Sequence, residues 1–129
     1  MMLMAAQAAA ATLEVTVAGV RNAEGQVRVA VCSEARFLAP ACEHVGSVAA
    51  RAGTVTVRIE GVQPGAWAAQ AFHDENGNGK LDVNLLGMPT EGLGFSNDAR
   101  MRFGPPSFND AAFRLAPAGG QIRFTLRYY

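Results

Sequence analysis

No segment of the chain approaches the ~20 consecutive apolar residues that a helix needs to cross a bilayer, so no membrane-spanning helix is expected. Charge of one sign is also missing: eleven basic residues are matched by eleven acidic ones. Proteins that neutralise nucleic-acid phosphates or bind anionic surfaces through long-range charge carry a basic surplus, so nucleic acid is not an expected partner. Charged residues make up only 17% of the chain and hydrophobic ones 50%, a balance that argues against disorder. Histidine occurs only at His44 and His73, with no spacing relation that would suit zinc; His73 is read as a structural hydrogen-bonder. Redox C-x-x-C spacing is absent. So is the serine-hydrolase elbow, because Gly94-Phe95-Ser96-Asn97-Asp98 lacks the closing glycine. The glycines at 87, 92 and 94 do not follow a strand and open a helix, so a phosphate-cradling loop is not expected.

What remains fits one domain of 129 residues. Residues 1–11 (MMLMAAQAAAA) are small and apolar and end in an A-x-A-type run of the kind signal peptidases cut. They are expected to be a signal-peptide remnant or an Ala-rich tail, with the folded domain at residues 12–129. The protein is accordingly expected to be exported, to the periplasm or the extracellular space. Cys32 and Cys42 are the two cysteines. An even count in an exported domain suggests a disulfide closing a short loop, with two free buried thiols as the alternative.

Strand patterns dominate. Leu13, Val15 and Val17 alternate with polar or small residues, as do Val27, Val29 and Val31, and the turn residues 21–25 (RNAEG) lie between the two runs. The simplest expectation for that pair is a hairpin. Val55, Val57 and Ile59 form another such run, followed by the turn GVQPG. Residues 66–73 are less polar and fit a central strand. Ile122, Phe124, Leu126 and Tyr128 alternate with polar neighbours at the C-terminal end, and a short strand is expected at residues 112–115. Residues 34–50 leave room for one helical turn near Phe37. Trp67, inside an apolar strand, is read as a core residue. The pattern predicts an all-β, antiparallel β-sandwich.

Residues 83–111 lack clear periodicity. Loops beyond about 12–15 residues are uncommon in compact domains, and the hydrophobic content here (Leu85, Leu86, Met88, Phe95, Phe103 among others) argues that the segment packs down as an ordered excursion. Immediately before it lies Asp74-Glu75-Asn76-Gly77-Asn78-Gly79-Lys80-Leu81-Asp82. Oxygen-bearing side chains at alternate positions, a glycine for the reversal and an apolar anchor match the first nine positions of a D-x-[DN]-x-[DN]-G calcium loop. The expected donors are Asp74, Asn76, Asn78, Asp82 and the carbonyl of Lys80. The pattern then fails, since Leu85 stands where a bidentate Glu is wanted. Missing oxygens would come from Glu75, Glu91, Asp98 or Asp110, with Glu91 taken into the expected metal site. A metal-free turn built on Asn76-Gly77 and Asn78-Gly79 uses the same residues and stays open as the alternative.

The run from Phe72 to Phe113, FHDENGNGKLDVNLLGMPTEGLGFSNDARMRFGPPSFNDAAF, resembles the signature of the DUF2141 family of exported bacterial proteins, and the likeness extends across nearly the whole chain beyond residue 11. The resemblance implies a sandwich of roughly immunoglobulin or prealbumin type and makes residues 83–111 an ordered part of it. It supplies no activity. The functional expectation is a non-catalytic exported module, stabilised by calcium at residues 74–82 and binding a protein or glycan partner. The alternative is a hydrolase acting on cell-envelope material through carboxylates gathered by the same loop.

Overall fold

The computed structural model describes residues 10–129, and they form a sandwich of two sheets. Eight strands appear among the described residues: β1 (Ala11–Val20), β2 (Gln26–Cys32), β3 (His44–Ala49), β4 (Gly53–Val62), β5 (Gly65–Asp74), β6 (Leu93–Phe95), β7 (Ala112–Leu115) and β8 (Gly120–Thr125). One sheet has the order β4-β1-β8; the other runs β3-β2-β5-β6, with β7 paired to β5 beside β6. Every pairing between these strands is antiparallel except β1 with β8, which is parallel. No helix among the described residues is long and apolar enough to cross a membrane. The Ala-rich stretch lies outside the described residues except for Ala10 and Ala11, and Ala11 is already in β1, opposite Val62.

Period-two alternation places the apolar side chains between the layers. Leu13, Val15 and Val17 from β1, Val27, Val29 and Val31 from β2, and Val55, Val57 and Ile59 from β4 pack with Ala69, Ala71, Phe124 and Leu126 in one core. The strand β5 is central, as its composition suggests: Ala69 and Ala71 face that core, while Ala68 belongs to a second cluster on the sheet's other face with Leu93, Phe95 and Ala111. Phe37, Leu81 and Phe108 pack against this second cluster. The helical turn near Phe37 is present, with Phe37 N donating to Ser33 O at 2.9 Å. Trp67 is half-buried against the main core, its indole N–H donating to Gln63 O at 2.8 Å.

The expected β1–β2 hairpin is not formed. These strands belong to opposite sheets, so the turn at residues 21–25 carries the chain across the sandwich. Alternation reports which face of a strand is buried and is silent on which sheet it joins. The crossing has a local cause. Gly25 has φ +69°, and a Cβ there would lie 2.0 Å from Asp74 O, so the turn is pressed onto the end of β5. Alternation does not signal the strand β3, because its inward positions are His44, Gly46 and Val48. A Cβ on Gly46 would meet Ile59 Cδ1 at 2.6 Å, so close packing against β4 removes the apolar side chain that alternation needs.

Cys32, at the end of β2, is disulfide-bonded to Cys42, ten residues on. Closing a loop of that length restrains the unfolded chain by about 2–3 kcal/mol in the chain-entropy account. Cys42→Ser is expected to lower stability in denaturant titrations by that amount. Purified wild-type protein is expected to resist alkylation until a reductant is added; two alkylated thiols without reductant would contradict the bridge.

Candidate functional site

The acidic loop begins where β5 ends, and its first residue is the most constrained. Asp74 is fully buried. Its Oδ2 accepts from Arg28 Nε at 2.7 Å and from Gly79 N at 2.8 Å, while Oδ1 accepts from Asn78 N at 3.2 Å. Glycine is needed at 79, where φ is +78° and the backbone turns back on the carboxylate. Two nested Asx turns follow, Asn76 Oδ1 accepting from Asn78 N at 3.2 Å and Asn78 Oδ1 from Lys80 N at 2.9 Å. Asp82 accepts from the side-chain amides of both asparagines, Asn76 Nδ2 at 2.6 Å and Asn78 Nδ2 at 2.8 Å. Leu81 anchors this bend to the second apolar cluster, as its position suggests.

Glu91 closes the loop from outside. It is 5% exposed, and its carboxylate accepts from Glu75 N at 2.8 Å and from Asp82 N at 3.1 Å, one contact at each end of the bend. Of the four carboxylates proposed to complete the donor set, Glu91 is therefore the one that reaches residues 74–82 from beyond them. Glu75 turns to Arg21 and to Asn22 Nδ2. Asp98 accepts from Thr125 N at 2.8 Å. Asp110 forms a capping box with Ser107 at the start of the single-turn helix α1 (Phe108–Ala111). No group of three or more His, Cys, Asp or Glu side chains among the described residues is placed to share a metal ion. Asp74 and Glu91 thus accept from the loop backbone and Asp82 from the side-chain amides of Asn76 and Asn78.

Residues that alternation could not single out hold the loop to the sandwich. Arg28, in the middle of β2, neutralises Asp74 from the neighbouring strand. His73, fully buried, is saturated: Nε2–H donates to Glu24 O at 2.6 Å, and Nδ1 accepts from the Tyr128 hydroxyl at 3.0 Å. That hydroxyl in turn accepts from Arg21 N at 2.9 Å. The histidine is the structural hydrogen-bonder its sequence context suggests.

The run Glu91-Gly92-Leu93-Gly94-Phe95-Ser96-Asn97 can be assigned residue by residue. A Cβ at Gly92 would strike the Tyr128 ring at 2.5 Å, and one at Gly94 would lie 2.8 Å from Thr125 O. Both glycines admit the C-terminal strand, and Leu93 and Arg127 exchange two backbone hydrogen bonds of 2.9 Å that tie the two sheets together. Ser96, buried, accepts from Ala69 N at 2.9 Å and donates to Ala111 O. Asn97, with φ +61°, donates to Ala112 O at 2.8 Å. Order in residues 83–111 therefore comes from Glu91 through Asn97 and from α1. The expectation that the apolar residues pack down fails at Leu85, Leu86 and Phe103, which are almost wholly exposed.

Burial alone would raise the Asp74 pKa by penalising its charge. The Arg28 guanidinium and the N–H groups of Gly79 and Asn78 outweigh that and hold it below the usual aspartate value. Glu75 is likewise lowered, against its own burial, by Asn22 and Arg21. A carboxylate with a depressed folded-state pKa contributes stability above its unfolded pKa of about 4, lost as pH falls through the folded value. Wild-type stability is expected to drop steeply below about pH 4, and Asp74→Asn is expected to be less stable at neutral pH with a shallower acid limb. Parallel acid limbs in the two proteins would contradict the assignment.

A family model described as "Uncharacterized protein conserved in bacteria (DUF2141)" matches residues 15–123. No curated protein and no solved structure matches the chain. The match takes in all of the acidic loop, Glu91, both close-approach glycines and Ser96. The chain belongs to the DUF2141 family.

Proposed function

We propose that the chain is a non-catalytic, exported β-sandwich module whose loop at residues 74–82 takes up a calcium-type cation and whose loop face meets a partner outside the cytoplasm. The Cys32–Cys42 bridge supports export, because disulfides persist in oxidising compartments. The internal engagement of the carboxylates supports a binding role over hydrolysis. Both oxygens of Asp74 and of Glu91 are occupied by donors of the fold, and so are both oxygens of Asp82. A general base or nucleophile needs an oxygen facing substrate.

The observation that carries the cation reading is Asp82. Its carboxylate is half-buried and lies beside two side-chain amides, with no cationic side chain in ion-pair contact among the described residues. The residues fit a hard ion by type: carboxylates of Asp74 and Asp82, amide oxygens of Asn76 and Asn78, and the Lys80 carbonyl. Such an ion would take the place of the two amide donors on Asp82 and supply the charge neutralisation that they do not. Because so much of the set is neutral oxygen, and because Arg28 already compensates Asp74, affinity is expected to be weak, near the ~10⁻⁴–10⁻³ M of extracellular modules.

Binding of that strength adds about 0.4–1.4 kcal/mol at millimolar calcium, a few degrees in the melting midpoint. Thermal melts at low salt, with calcium and with chelator, are expected to differ by that shift, and Asp82→Asn is expected to abolish it. Superimposed melts of the wild type, with no heat in a calcium titration, would retire the cation reading.

A further inference from the structure

The strand β3 stands at the edge of its sheet, paired with β2 alone. Natural sheets blunt such edges with charge, proline or a bulge. None of these is present in β3. Residues 44–49 (HVGSVA) hold no Asp, Glu, Lys, Arg or Pro, and the register with β2 runs from Gln26 opposite Ala49 to Val31 opposite His44 without a shift. The edge strand β4 of the other sheet is guarded by contrast: it carries Arg58 and Glu60, and its pairing with β1 shifts register twice.

Ladder geometry says which backbone groups of β3 are free. Ala50 N donates to Gly25 O at 3.1 Å, so at every second residue before it, Val48, Gly46 and His44, the N–H and C=O turn toward β2. Those of Val45, Ser47 and Ala49 turn to the open side, and no loop backbone among the described residues bonds to them. All three residues are exposed, Val45 at 72%. The charges flanking the strand are of opposite sign: Glu43 just before it and Arg51 two residues after it. Both are exposed, and neither is in a salt bridge among the described residues. Glu43 accepts from the neutral Ser33 N at 3.1 Å, with Arg36 a lesser influence beyond ion-pair contact.

We propose that two copies of the chain join β3 to β3 about a two-fold axis, antiparallel, with Ser47 opposite Ser47 of the second copy. Val45 then lies opposite Ala49 of the second copy, so each free N–H and C=O of the edge meets its complement. Glu43 falls opposite Arg51, and the axis repeats that contact at the other end. The register is specific. A one-residue slip opposes inward to outward side chains, and a slip of two sets Glu43 against Ala49 or Gly53 and loses both charge pairs. A strand of a different chain could meet the same backbone groups, but opposite charges at both ends of one register are what this edge offers to its own copy. The inference goes beyond the partner proposed for the loop face and involves no cation.

Sedimentation equilibrium of the full chain in chelator, over a range of concentrations, reads the association, and amide exchange reads the register. A monomer–dimer equilibrium is expected, with the N–H groups of Val45, Ser47 and Ala49 gaining protection as dimer forms. Ser47→Pro removes a donor from the open edge and spares the β2 ladder; it is expected to abolish the dimer. Arg51→Glu is expected to weaken the dimer about tenfold, because the axis sets like charges opposite each other at both ends. Adding Glu43→Arg to Arg51→Glu is expected to restore it. A monomer at every concentration overturns the pairing and leaves the edge to a strand of another chain. A double charge variant no tighter than Arg51→Glu alone overturns it as well. So does a dimer that survives Ser47→Pro, since the contact would then lie on another face, such as the exposed tips at Leu85, Leu86 and Phe103.

Discussion

A buried carboxylate that accepts from two backbone N–H groups eight or more residues away imposes a shape on everything between them, and Glu91 does this to the acidic loop. Its contacts with Glu75 N and Asp82 N hold both ends of the bend. Hydrogen bonds to a charged acceptor are worth about 1.5–3 kcal/mol each, and the excluded water around a 5% exposed side chain leaves no ready substitute. Asp74 does the same work from inside the loop, folding the backbone at Gly79 onto a carboxylate that Arg28 compensates. The bend is thus closed by the protein's own acceptors, and a cation would add to a structure already formed.

Position in the fold makes that closure consequential. Glu91 is followed at once by Gly92 and Gly94, where the C-terminal strand passes too close for any side chain, and by β6, which pairs with β5. The same short stretch therefore staples the loop, extends one sheet and joins it to the other through Leu93 and Arg127. The apolar tips at Leu85, Leu86 and Phe103 are carried by segments whose ends are fixed in this way and whose middles are free of the core.

Much of this is legible in the sequence. Alternating Val and Ile runs placed β1, β2, β4 and β8, the low polarity of residues 66–73 marked β5 as central, and the Asn-Gly pairs marked the bend. The illegible parts have physical causes. In β3 the inward Gly46 erases the apolar period, and in β6 three residues buried on both faces have no period to show. The β1–β2 crossing depends on Gly25 packing against Asp74 O, a contact between residues far apart in the chain. Arg28 is one of ten arginines in the sequence, and only the pairing of β2 with β5 sets it apart. In the sequence Glu91 is one of four carboxylates that could complete a donor set; that it serves backbone N–H groups follows only from the register of the chain around it.

The most direct measurement is amide hydrogen exchange in wild type and Glu91→Gln. Glutamine keeps the size of the side chain but turns an N–H group toward one of the two loop N–H groups, leaving that donor buried without an acceptor. The account predicts faster exchange at Glu75 and Asp82 and across the intervening loop, while the core amides of β1 and β2 keep their protection. Unchanged protection of Glu75 and Asp82 in the variant would contradict it.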